Sequence, residues 1–167
     1  TWAQYGGNEA ISDWNTISNY ADNHDLSVQS NYEHVINEID VTSLADYILI
    51  NSFVVCTDWI NWNTSVWRGL DRDGSHKKWG FVLWDEDATF NHYINYTGIP
   101  NDDPDAAPCY PEGITASDPL GIIDLLNALL ENENFTQYYL TRYMDLMNTA
   151  FREEEMINLV EEIENSI

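Results

Sequence analysis

The stretch Val41-Thr42-Ser43-Leu44-Ala45-Asp46-Tyr47-Ile48-Leu49-Ile50-Asn51-Ser52-Phe53-Val54-Val55 constrains this chain more than any other. A side-chain oxygen in Asp40-Val41-Thr42 can cap a helix, and the apolar run predicts that the helix continues to about Val55. Its apolar residues fall on nearly every face, so such a helix has to be enclosed on all sides as the axis of a core. The run from about Tyr47 to Cys56 is interrupted by Asn51 and Ser52. It falls well short of the roughly 18 to 20 apolar residues that a bilayer crossing needs, so no membrane span is expected.

The flanking sequence supplies the cover. Upstream, Ile11, Trp14 and Ile17 share the face of one short helix. A second is expected from the capping-box pattern Ser30-x-x-Glu33, continuing through Tyr32, Val35, Ile36 and Ile39. The last fifty or so residues read as three more helices. Asp118-Pro119 predicts an N-cap followed by proline at the first helical position, with Ile122, Ile123, Leu125, Leu126, Leu129 and Leu130 as a buried face. The next carries Phe135, Tyr138, Tyr139, Tyr143, Leu146 and Met147. The last carries Met156, Ile157, Val160 and Ile163, with Glu153 to Glu155 at its N-terminus, where the helix dipole favours anions.

Between the helical blocks the pattern changes. Ser65 to Leu70 and Lys78 to Trp84 flank Asp71-Arg72-Asp73-Gly74 as a β-hairpin with a Gly-containing turn. Asp71-x-Asp73-Gly74 looks like the start of a calcium loop, but an EF-hand needs its glycine at the sixth position and this stretch has it at the fourth, so it reads as a turn. His92 to Gly113 carries all but one of the prolines and the run Asn101-Asp102-Asp103-Pro104-Asp105. It is expected to be a long irregular loop, solvated by default, with a structural cation as the alternative. The 167 residues make one domain of the α+β class, mostly α, with a central hairpin between two helical blocks.

Charge narrows the partners. Against 29 acidic residues stand only 6 Lys plus Arg, a formal net charge of −23. Such a chain repels nucleic acid and anionic lipid, and an anionic substrate such as ATP would need metal ions as mediators. Cys56 and Cys109 lack C-x-x-C spacing and neighbouring histidines, so no zinc site is expected, and spacing leaves a disulfide between them open. Thr1 to Ala10 has neither the basic start nor the apolar run of a signal peptide, which does not fix the compartment.

The chemistry-bearing residues surround the hairpin. Phosphoryl transfer needs metal ions on oxygen ligands to neutralise a triphosphate, and a carboxylate to orient the acceptor hydroxyl and take its proton. Protein kinases supply these in a fixed order: an Asp after a helix, an Asn five residues later, then a short hairpin and a second Asp. Here Asp58 is followed by Asn63, the hairpin and Asp85, the latter within Trp84-Asp85-Glu86-Asp87. By itself the pattern leaves a metal site and turn chemistry both open, because Asp and Asn are abundant.

Three groups of residues carry a resemblance. They are Asp40-Val41 before the apolar helix, Thr57-Asp58-Trp59 with Asn63 and Trp67-Arg68, and Lys78-Trp79-Gly80-Phe81-Val82-Leu83-Trp84-Asp85-Glu86-Asp87-Ala88-Thr89-Phe90. Together with Leu125-Leu126, Phe135, Tyr138 to Arg142 and Asp145-Leu146-Met147-Asn148, they resemble the spore-coat protein H (CotH) kinase family over about residues 35 to 165. The resemblance implies a protein-kinase-like C-terminal lobe and an atypical kinase that uses Mg2+ or Mn2+ and ATP to phosphorylate Ser or Thr on spore-coat or other exported proteins. It further implies Asp58 as the catalytic Asp and Asn63 and Asp85 as metal and cofactor ligands, with Asp87 as an additional metal ligand. An extracellular, cell-surface or spore-surface location follows from the same likeness. The tripeptides His-Arg-Asp and Asp-Phe-Gly of ordinary kinases are absent.

A kinase also needs a lobe that covers the nucleotide and sends a Lys or Arg to the phosphates. No Lys or Arg precedes Asp58, and only Gly6 and Gly7 stand there as glycines. The expectation is therefore a C-lobe portion of a larger kinase-like domain, inactive by itself and missing its N-terminal lobe. Two other readings stand beside it: a non-catalytic exported binding or assembly module on the same fold, and a metal-dependent hydrolase using Asp58 and Asp85. Trp59, Trp62, Trp67, Trp79 and Trp84 offer a sugar-stacking platform as the alternative to alternating core positions. His24, His34, His76 and His92 are scattered, and Asn63, Asn95 and Asn134 head glycosylation sequons of a common pattern.

Overall fold

The computed structural model describes residues 3–56, 59–60, 62–90, 111 and 117–167. Among them the chain forms α1 (Gly7–Asn23), α2 (Gln29–Glu38) and α3 (Val41–Phe53), then strands β1 (Ser65–Trp67) and β2 (Gly80–Val82). It closes with α4 (Ile122–Leu130), α5 (Glu133–Asn148) and α6 (Glu153–Ser166). The class is α+β and mostly helical, with the hairpin between two helical blocks. The long segment expected at 92 to 113, with its Asn101 to Asp105 run, lies outside the described residues except for Pro111, and so does Cys109.

α3 is the axis that its composition demands. Leu44, Ala45 and Ile48 are fully enclosed and Tyr47, Leu49 and Asn51 are buried. Its start is fixed by Asp40, whose carboxylate accepts the amides of Thr42 and Ser43, both at 3.1 Å, and the Thr42 hydroxyl at 2.6 Å. Burial pushes the Asp40 carboxyl up, but the Thr42 hydroxyl, the two amides and nearby Lys78 outweigh it and hold the group below the usual carboxylate range. A lowered folded value stabilises the fold above the ordinary carboxylate pKa, and the contribution is lost as pH falls through the lowered one. Asp40→Ala is expected to cost about 1 kcal/mol at neutral pH, with the gap to wild type closing on acidification, as thermal melts across that range will show.

The other helices wrap α3 and the hairpin. Trp14 of α1 packs edge-on against Trp79 (5.5 Å between centroids) and Phe81 (6.1 Å), and its Nε1–H donates to the Leu120 carbonyl at 3.0 Å. Ile122, Leu125, Leu126 and Leu129 of α4 and Phe135 of α5 are completely buried. Buried Asn132 caps α5 by accepting from the Asn134 amide at 3.0 Å, while its Nδ2 donates to the Leu26 carbonyl at 2.9 Å.

The hairpin pairs antiparallel with the register Ser65↔Val82, Val66↔Phe81 and Trp67↔Gly80. Beyond β1, Arg68 and Arg72 turn toward the helices. Arg68 pairs with Asp13 and with Glu38 (3.1 Å) while its guanidinium lies 4.8 Å from the centre of the Trp79 ring, and Arg72 reaches Glu38 at 3.2 Å. The Asp71 carboxylate accepts the Asp73 amide at 3.0 Å and its carbonyl accepts the Gly74 amide at 3.1 Å, so this is the expected turn. The α2–α3 junction adds a parallel bridge, with the Trp79 amide donating to Glu38 O at 2.8 Å and the Asp40 amide to Trp79 O at 2.9 Å. The Phe81 amide donates to Ser43 Oγ at 2.9 Å, so β2 is seated on the first turns of α3.

Two helix starts differ from expectation. α2 begins at Gln29 with Val28 at the cap position, and Ser30 lies inside the helix. The reason is a turn at Asp25, whose carboxylate takes the Ser27 amide at 2.9 Å and reverses the chain before Ser30 can act. Glu33 is bonded instead by Gln29 Nε2 at 2.9 Å. α4 begins after Gly121, in the left-handed region at φ 67, where a Cβ would also come within 3.1 Å of Ser18 Oγ. Asp118 still satisfies the helix, accepting the Ile123 amide at 2.7 Å from outside it, and Pro119 sits in the preceding turn. α6 has no buried residue: Ile157, Val160 and Ile163, the apolar positions of the last helix, are about half exposed. No helix among the described residues is long and apolar enough to cross a membrane.

Candidate functional site

Antiparallel pairing returns the chain to where it started, so the segment before β1 and the segment after β2 meet at one end, opposite the Asp71–Gly74 turn. Asn63 stands two residues before β1 and Asp85 three after β2. Counting outward from Ser65↔Val82 sets Asn63 level with Trp84, the neighbour of Asp85. Asn63 is half-buried, while Asp85 and Asp87 are exposed. Asp58 lies outside the described residues; Cys56 and Trp59 on either side of it are buried.

The backbone around these residues is unusual. Among the described residues four non-glycine positions have positive φ: Val55 (53°), Ile60 (65°), Asp85 (59°) and Phe90 (49°). All four lie in the two segments that carry Asp58 and Asp85 to Asp87. Left-handed backbone costs on the order of 1–3 kcal/mol per residue and is worst for β-branched side chains such as Val55 and Ile60, so it persists only where surrounding contacts enforce it. Those contacts are present. The Phe90 amide donates to Val54 O at 2.8 Å, the Cys56 amide to Asn51 O at 3.0 Å, and Thr89 Oγ1 to Glu86 O at 3.0 Å. Phe53 and Phe90 meet edge-on at 6.4 Å and Ala88 is buried. The end of α3 is thereby tied to the end of the Asp85–Phe90 turn.

Five of the six Lys and Arg side chains are engaged elsewhere among the described residues, and exposed Lys77 enters no ion pair there. Arg68 and Arg72 serve Asp13 and Glu38, and Arg152 pairs with Glu154. Arg142 grips Asp46 of α3 through two bonds of 2.6 and 3.0 Å, and Lys78 Nζ donates to the Ile36 carbonyl at 2.6 Å. The ion pairs among the described residues leave out Asp85 and Asp87. Carboxylate and amide oxygens such as those of Asp85, Asp87 and Asn63 are hard donors, of the kind that Mg2+ or Mn2+ takes rather than a soft metal. Among the described residues no three His, Cys, Asp or Glu side chains converge as a metal cluster.

Beneath this region lie groups that an apolar-run reading of α3 passes over. The Tyr47 hydroxyl, Asn51 Oδ1 and Ser52 Oγ are buried and have no hydrogen-bond partner among the described residues. Burial, then the neighbouring charges of Glu86, Cys56 and Asp118, push the Tyr47 hydroxyl far up. Burial also pushes the Asp118 carboxyl up, against the pull of the Ile123 amide. With a raised folded value, stability falls as pH rises from the ordinary carboxylate value through the raised one. Asp118→Asn keeps an acceptor for Ile123 and removes the ionisation, so its melting temperature is expected to gain on wild type across that interval and to match it at lower pH.

The five tryptophans of the middle region divide. Trp59 and Trp79 are core residues, while Trp62, Trp67 and Trp84 are 68, 46 and 59% exposed, so the five do not share one stacking face. The only sequence signal for the polar row on α3 was the Asn51-Ser52 interruption.

No curated protein and no solved structure matches the chain. A profile for the family described as CotH kinase protein matches residues 2–167, a wider span than the residues from about 35 to 165 whose motifs carry the resemblance. The match thus takes in α1 as well as the hairpin, the Asp85 turn and the C-terminal helices. The chain belongs to the CotH kinase protein family.

Proposed function

We propose that this chain carries the catalytic-lobe half of an atypical protein Ser/Thr kinase that transfers phosphate from Mg2+-ATP to exported or spore-surface proteins. The observation that supports the reading is the hairpin register, which puts the segments holding Asn63 and Asp85 at the same end of the sheet. Family membership supports the reaction class. Asp58 orients the acceptor hydroxyl and takes its proton as the oxygen attacks the γ-phosphorus and the bond to the β-bridging oxygen breaks, releasing ADP. The Asn63 amide oxygen and the Asp85 carboxylate would hold Mg2+, with Asp87 as a further ligand, and a cation bound there would supply the charge that neutralises the phosphates. Because no Lys or Arg precedes Asp58, and Arg68, Arg72 and Lys78 are tied to Asp13, Glu38 and the Ile36 carbonyl, we assign the phosphate-reaching cation to an N-terminal lobe outside these residues.

Titration calorimetry of the intact encoded polypeptide with Mg2+-ATP tests this. Heat that depends on both metal and nucleotide is expected. Its absence would favour the other class of function, a non-catalytic exported module that binds or assembles through the same fold. The specific observation behind that second reading is the uncovered apolar face of α6, with Ile157, Val160 and Ile163 about half exposed.

A further inference from the structure

The segment from β2 to Phe90 runs along α3, and contacts at both ends fix the alignment. At one end Phe81 packs on Tyr47 with ring centroids 5.8 Å apart, and at the other the Phe90 amide bonds Val54 O while Phe90 meets Phe53. Glu86 lies between Phe81 and Phe90 in sequence and is half-buried, and its charge acts on the Tyr47 hydroxyl, so it lies near that part of α3. That part presents the Tyr47 hydroxyl, Asn51 Oδ1 and Ser52 Oγ, all buried and without a hydrogen-bond partner among the described residues. Buried polar groups are nearly always bonded, and one left alone in a core weakens it. A row of them in a helix otherwise lined with Leu, Ile and Val calls for a use.

We propose that Tyr47 is a positioning residue for the metal ligands: its hydroxyl, with Asn51 and Ser52 behind it, is the polar seat on which Glu86 settles when Asp85 and Asp87 take up their cation. Glu86 is flanked directly by both carboxylates, so fixing its side chain from below fixes the direction in which they point. Tyr47 suits the task because its ring is already clamped between Trp59 and Phe81, each 5.8 Å away, so only the hydroxyl hydrogen has to turn. The head of the turn, Asp85 at φ 59, resists any relaxed geometry and gains most from support beneath it. The inference rests on the metal-ligand reading of Asp85.

Its test is Mn2+ binding by the full chain, followed by electron paramagnetic resonance, with Asp85→Ala defining the specific fraction. Tyr47→Phe is expected to weaken that fraction about tenfold, as loss of a group that orients a ligand does, while the melting temperature stays level or rises because an unbonded hydroxyl has left the core. Ser52→Ala is expected to act in the same direction and more weakly. Unchanged specific Mn2+ affinity in Tyr47→Phe overturns the seat while leaving Asp85 as a ligand. Absence of any fraction sensitive to Asp85→Ala overturns both. A Tyr47→Phe protein that melts lower and binds Mn2+ normally makes the hydroxyl a packing group and also overturns the proposal.

Discussion

Replacing Asp85 with alanine is expected to lower the affinity of the intact polypeptide for Mg2+-ATP by about 100-fold or more, close to abolishing it in calorimetry. Asp85 is exposed, stands at the end of the hairpin shared with Asn63, and is left out of the ion pairs among the described residues, so its removal breaks no ion pair among them. It does leave the cation with one carboxylate fewer at the point where the phosphates must be neutralised. Alanine also fits the φ of 59° less well than Asp, so Asp85→Asn is the cleaner companion: Asn tolerates left-handed backbone and withdraws only the charge. Both variants should fail to bind nucleotide. Asp71→Ala in the hairpin turn removes the same charge at the opposite end of the sheet and should bind as wild type. If Asp85→Asn retained full affinity, the ligand role would pass to other residues.

The second large effect concerns Trp14. Its ring fills the space between Trp79 and Phe81, and its Nε1–H bonds the Leu120 carbonyl just before α4. Trp14→Ala empties a volume that three elements share and strands that carbonyl, for an expected loss of about 3–5 kcal/mol. For a domain that is marginally stable to begin with, this is a large part of the total. Chemical denaturation will show it as an earlier midpoint with an unchanged slope. Trp14→Phe retains ring packing and should recover more than half of the loss, the remainder being the hydrogen bond and the smaller ring.

Much of the architecture was legible because local and global signals agree. α3 begins where Asp40 says it should, and its apolar faces are enclosed as composition requires. The hairpin and its Asp71–Gly74 turn were readable from alternation and turn chemistry. The misread starts of α2 and α4 share a cause: a side chain can cap from outside the usual position, and Asp25 and Asp118 reshape the approach to a helix without starting it. The third helix of the C-terminal block was readable as amphipathic, but what covers it was not, because periodicity names a face and no partner. At the candidate site, spacing singled out Asp58, Asn63 and Asp85 while leaving a metal site and turn chemistry both open, and Asp87 was added by the family resemblance. The left-handed backbone at Val55, Ile60 and Phe90 had no sequence signal at all, since β-branched and aromatic residues are the last expected there. Tyr47 was counted as one more apolar-run residue, because a pattern of hydrophobic positions says nothing about whether a buried ring's hydroxyl is bonded.

The contacts that close the core join distant parts of the polypeptide. Trp14 bonds Leu120 and Asn132 bonds Leu26, each across 106 positions, and Glu131 accepts from the Leu26 amide across 105. A ribosome delivers the N-terminal helices and the hairpin first, at a pace of about 5–20 residues per second. For several seconds of that delivery the side of Trp14 that faces Leu120 has nothing to meet. The nascent chain must hold an open aromatic surface until α4 and α5 emerge, so the step that completes this fold is a late one, and a pause in translation before residue 120 would lengthen the interval in which that surface is exposed.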